Sequence, residues 1–179
     1  MPVTYWSIKP GNAGVMETLA LMRSMILASD DFVREMAERA LTEYSVLPGA
    51  DDYTKLHALY VWTQRHMVYT KDRSAIMRVE GRTDTLDEEL RSAEYLLKKI
   101  VAEGAAYGDC DDYVILLGSL LWSIGIPSTM VVVSAHDDRV YDHVYQMVLG
   151  ITADAITGQP LGWHVPKDRV TARAEVSVP

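Results

Sequence analysis

An α+β fold, N-terminal helices followed by an antiparallel sheet, is predicted by three features of the chain. Apolar residues recur at helical spacing in successive segments as far as Ile124. Beyond that point the pattern becomes that of strands, beginning with Met130-Val131-Val132-Val133. Between the two regimes lies Gly108-Asp109-Cys110-Asp111-Asp112, a loop-to-helix junction that holds the single cysteine of the chain.

The helices come first. Val15 to Leu27 is rich in Leu, Met and Ala, and Ser29-Asp30 ends one helix and caps the next. Phe32, Met36, Ala40 and Leu41 carry the second until Pro48-Gly49 breaks it. A third starts after Asp51-Asp52, uses Leu56, Leu59 and Tyr60 on its apolar side, and runs to about Met67 before an extended Val68-Tyr69-Thr70. Lys71 to Asp84 is polar and reads as a loop. Leu86 to Glu103 reads as a fourth helix, with Leu90, Ala93, Leu96, Leu97 and Ile100 on one side and Gly104 ending it. Asp111 to Ile124 is apolar almost all round, as a buried helix should be, and Gly125-Ile126-Pro127 stops it.

Four strands are expected after it. Thr129 to Ser134 is the first, His136 to Arg139 a turn, and Asp142 to Leu149 the second. Asp154 to Pro160 connects to a third near Leu161 to Val165, and Val170 to Val178 adds an edge strand. The 179 residues are read as one domain, with residues 1–48 a helical N-terminal extension packed on the core.

Composition narrows the function. A formal net charge of −8 lacks the clustered Lys and Arg that phosphate contacts need, so no nucleic-acid partner is expected. One cysteine excludes an intramolecular disulfide and a zinc site built on several thiolates. Neither a secretory pattern nor an apolar run of about 18 residues is present, so the expectation is a cytoplasmic protein with no membrane partner. No cofactor and no metal are expected. Asp109, Asp111, Asp112, His136, Asp137 and Asp138 read as solvated caps and turns, without the alternating ligands of a calcium loop.

Cys110 is the candidate nucleophile. At a helix start its sulfur meets unpaired N–H groups and the positive end of the macrodipole, which favour thiolate. The same N–H groups can receive a developing oxyanion. His143, one helix and one strand downstream, is the candidate base. His57, His66, His136 and His164 have structural or surface readings instead. Asp168, after the third expected strand, is favoured as the group that orients the imidazole, and Asp154 competes with it.

The segment Tyr107 to Tyr113, with Leu116-Leu117, Leu120-Leu121 and Gly125-Ile126-Pro127, resembles the cysteine helix of the transglutaminase-like superfamily. Asp142-His143-Val144-Tyr145 resembles its histidine strand, and Trp163 followed by Asp168 its last element. The helix holding Leu59-Tyr60-Val61-Trp62 and the Val68-Tyr69 strand are similar to the upstream part. The likeness spans roughly residues 50–170. It implies a papain-like core of bacterial or phage type and a Cys110–His143–Asp168 triad. The implied substrate is a peptide or protein amide, cleaved through a thioester that water or an amine resolves. A catalytically inactive member serving as a binding or assembly module is the alternative, and metal-dependent hydrolysis through Cys110, His143 and an Asp ranks below both.

Overall fold

The computed structural model describes residues 3–8, 12–70, 86–134 and 141–179. The expected loop at 71–84 and the turn at 136–139 lie outside them. In chain order the elements are β1 (Val3–Ile8), α1 (Asn12–Leu27), α2 (Asp31–Glu43), α3 (Asp52–His66) and β2 (Met67–Tyr69). There follow β3 (Leu86–Arg91), α4 (Ala93–Glu103), β4 (Ala106–Gly108) and α5 (Cys110–Ser123). The chain closes with β5 (Ser128–Ser134), β6 (His143–Val148), β7 (Ile151–Ala153) and β8 (Ala172–Val178). The architecture is α+β, as expected.

Helix starts follow their caps. Asp30, Asp51 and Ser92 each accept a hydrogen bond from the amide three residues on, satisfying a donor that the helix itself leaves free. Gly104 ends α4 at φ 86°, a left-handed conformation that glycine adopts without steric cost.

Helix α5 is the centre of the core. Ile115, Leu116, Leu120 and Leu121 are wholly buried on it, and Leu19, Met22 and Ile26 of α1 and Val33, Met36 and Ala37 of α2 join the same cluster. The sheet covers another side. At Gly118 an added methyl group would collide with the Gln146 amide of β6 and with Ile26. A glycine there lets the helix that Cys110 opens lie close against the strand that begins with His143.

The main sheet is antiparallel in the order β7-β6-β5-β8. Val132 stands opposite Val144 and Val133 opposite His143. Alternation sends Met130, Val132, Val144 and Val148 toward α5, while Val131, Val133 and Tyr145 form a second cluster on the other face. No helix among the described residues is long and apolar enough to cross a membrane.

Three expectations need correction. Leu86–Arg91 is a strand rather than the first turns of a helix. It pairs antiparallel with β1, and the helix begins only after the Ser92 cap. The amino-terminal residues therefore contribute a strand as well as helices. The third strand of the meander is Ile151–Ala153, not Leu161 to Val165, because Leu149 (φ 54°) and Gly150 (φ 76°) close a two-residue hairpin with Val148 opposite Ile151.

Candidate active site

Cys110 opens α5, and the strand that delivers it is anchored from α3. Strand β4 pairs in parallel with β2, and the Thr70 amide donates to the Gly108 carbonyl at 2.8 Å. Asp109 is the cap residue, yet its side chain makes no capping bond, unlike Asp30, Asp51 and Ser92. The helix itself supplies no acceptor for the first amides of α5, which lie beside the sulfur.

The carboxylates of this turn are buried, which corrects their reading as solvated caps. Asp111 is 5% exposed and Asp112 is fully buried. Asp112 accepts from the Arg91 amide at 2.9 Å and pairs with the Arg91 guanidinium, which also holds Glu89 at 3.0 Å. A carboxylate without solvent requires such a partner. Gly108 answers to the same pair, since an added methyl group would overlap the Asp112 carboxylate.

The thiol of Cys110 is half-buried and donates to Asp111 Oδ1 at 3.2 Å. Burial pushes its pKa well above the usual range, and the charges of Asp111 and Asp109 push the same way. The Val144 amide pulls the other way, toward thiolate, but is outweighed. Ligand atoms of Asp109, Cys110 and Asp111 lie within 4.8 Å of one another, the grouping among the described residues from which a metal could be held.

His143, one residue before that amide, begins β6. Its Nε2 lies 2.8 Å from Asp154 Oδ2, in a pair largely closed to solvent. The hairpin register explains the contact. Gln146 stands opposite Ala153, so Asp154, one step further, comes level with Tyr145 and diagonal to His143 on the same face. Tyr145 packs beside the imidazole, with ring centroids 5.9 Å apart.

Of the expected trio, Cys110 lies against β6 at Val144, the residue after His143. The pairing register puts the imidazole on the sheet face of Val133 and Tyr145, and no hydrogen bond joins Sγ to the ring among the described residues. The carboxylate on the imidazole belongs to Asp154, the competing candidate. Asp168 sits exposed in a short 3-10 turn, Lys167–Arg169, after residues 161–165, which form no strand. His66 accounts for itself by stacking on Trp62 at 4.3 Å, while His57 and His164 are exposed. Sequence reasoning passed over Arg91, hidden in a segment read as helix, and treated Tyr60 only as part of an apolar face.

Cys110 thus opens a helix packed against an antiparallel sheet that carries the His143–Asp154 pair. No protein-family model matches the chain, and no curated protein does. Among solved structures, EGTA-treated LapG of Legionella pneumophila is similar over 85% of this chain and 77% of its own, at 11% identity and a TM-score of 0.49. LapG in a second structure gives 85% and 80%, 12% identity and 0.47. A candidate cysteine protease from Cytophaga hutchinsonii aligns over 97% of this chain, at 11% identity and 0.45, and the chain spans 58% of it.

Proposed function

We propose that this chain is a transglutaminase-like thiol enzyme acting on amide bonds, with Cys110 as nucleophile, His143 as base and Asp154 as the group that orients the imidazole. The observation that carries this reading is the His143–Asp154 pair at 2.8 Å, on the strand whose next residue, Val144, favours the Cys110 thiolate through its amide. Asp154 holds Nε2, which leaves Nδ1 to receive the thiol proton. The thiol must first give up its contact with Asp111.

The thiolate attacks the carbonyl carbon, forming a C–S bond while the carbonyl π electrons move to oxygen. Amides at the start of α5 receive that oxyanion. Collapse breaks the C–N bond, and the imidazolium returns its proton to the leaving amine. The remaining thioester passes its acyl group to water, as in a protease or amidase, or to an amine, as in a transglutaminase.

A second reading, a non-catalytic binding or assembly module, draws on one observation. Burial and two neighbouring carboxylates hold the Cys110 thiol protonated. Alkylation with iodoacetamide near neutral pH separates the two, because only thiolate reacts. An enzyme gives a rate above that of free cysteine, which His143→Ala abolishes. A rate at or below free cysteine, unmoved by His143→Ala, establishes the module instead.

A further inference from the structure

The carboxylate of Asp154 sits at the start of a tight turn, and one helix outside the sheet grips both ends of that turn. Asp154 precedes the 3-10 turn Ala155–Thr157, and Gly158 (φ 65°) leads out of it toward Gln159. Tyr60 of α3 is 1% exposed, and its hydroxyl lies 2.9 Å from the Asp154 carbonyl oxygen and 2.8 Å from that of Gln159. One helical turn along, Gln64 donates through Nε2 to the Gln159 carbonyl at 2.9 Å and to the Tyr60 hydroxyl at 3.3 Å.

We propose that Tyr60 and Gln64 are positioning residues for His143, acting through Asp154 by clamping the ends of the 154–159 turn. The inference rests on the Cys110–His143–Asp154 reading and names what keeps it aligned. The tyrosine proton is shared between two carbonyls that belong to the first and last residues of the turn. A turn held at both ends has a fixed main-chain direction at Asp154, and that direction decides where the carboxylate meets Nε2.

Two details fit a clamp better than incidental packing. The hydroxyl touches main-chain oxygens alone on the turn side, so it sets backbone position without competing for the carboxylate. Burial, with the Asp154 charge adding to it, raises the Tyr60 pKa to about 12, so the phenol keeps its donor proton across the working range. Residues 60 and 64 also present the two donors from one face of α3, as side chains four apart do.

The test is the rate of Cys110 alkylation by iodoacetamide in the full chain, for wild type, Asp154→Asn, Tyr60→Phe, Gln64→Ala and the Tyr60→Phe/Asp154→Asn double variant. Thermal midpoints are taken alongside. The clamp predicts slowing of about 10-fold for Tyr60→Phe, the lower end of what losing a supporting hydrogen bond costs a positioned group. Gln64→Ala slows the reaction less. The double variant is no slower than Asp154→Asn alone, because the clamp acts only through that carboxylate. A merely structural tyrosine lowers the midpoint yet slows both backgrounds equally, and that result overturns the proposal. So does an unchanged rate in Tyr60→Phe when Asp154→Asn is slow. If neither Asp154→Asn nor His143→Ala changes the rate, the triad reading itself has failed. Should Tyr60→Phe not fold, the half-buried Gln64 serves the same cycle with Asp154→Asn.

Discussion

The two halves of the site are held in place by different chemistry. On the nucleophile side, Asp112 is bound to Arg91 by a buried ion pair that ties the start of α5 to β3. On the base side, Asp154 is reached through neutral bonds from Tyr60 and Gln64 on α3 to main-chain carbonyls. Charge in a dry place is a brace that fails abruptly, since losing one partner strands the other. Neutral bonds exchange more evenly with water and fail by degrees. Cys110, the proposed nucleophile, is therefore fixed by an all-or-none contact, while His143, the proposed base, can be misaligned in small steps.

The sharpest way to break this contrast is Arg91→Ala. Leaving the Asp112 carboxylate buried and unpaired should cost about 3–5 kcal/mol, read from urea unfolding. Tyr60→Phe should cost about 1–2 kcal/mol in the same assay. If the order reverses, the assignment of a charged brace and a neutral clamp is wrong.

Alkaline pH gives the next largest effect. Tyr60 and Tyr113, one on each side of the site, are both raised from 10.0 to about 12, in each case chiefly by burial. The unfolded chain releases these protons near pH 10 and the folded chain only near pH 12. Unfolding therefore releases protons across that window, and stability falls as pH rises. Each phenol contributes up to about 2–3 kcal/mol to the fall. Tyr60→Phe should reduce the slope of unfolding free energy against pH, with Tyr113, Tyr145 and Cys110, all raised by burial, supplying the rest. An unchanged slope would place the titration elsewhere.

Smallest is Asp111→Asn. It removes a charge that raises the Cys110 thiol and puts a weaker, neutral amide acceptor in place of the carboxylate, though burial remains the larger cause. The midpoint of the alkylation–pH profile should move down, quickening the reaction a few-fold at about pH 8. A midpoint that stays or rises would show that Asp111 assists the thiolate.

How much of this was legible in the sequence depended on whether the deciding contact was local. Helices α3 and α5 and strands β5 and β6 announced themselves through period and caps. Strand β3 did not, because Leu86, Leu90 and Ala93 also satisfy helical spacing and its partner β1 lies far upstream. The meander's third strand was misplaced because Leu149, at positive φ, is a residue no turn rule selects. Asp168 was preferred to Asp154 for the same reason, since a strand drawn too late takes its carboxylate with it. The tight Leu149-Gly150 turn followed by Ile151-Thr152-Ala153 was the signal that could have found it. Burial of Asp111 and Asp112 was out of reach while Arg91 was read as part of a helix.

Gly108 offers a practical handle. Its missing side chain is the space that the Asp112 carboxylate fills, so Gly108→Ala adds a methyl group where the ion pair sits while leaving every reactive atom of the site untouched. Such a substitution is a natural route to a heat-sensitive allele, folded at low temperature and lost on warming. In a cell it would separate the loss of this protein from the loss of the chemistry proposed for Cys110, a distinction that a cysteine knockout cannot make.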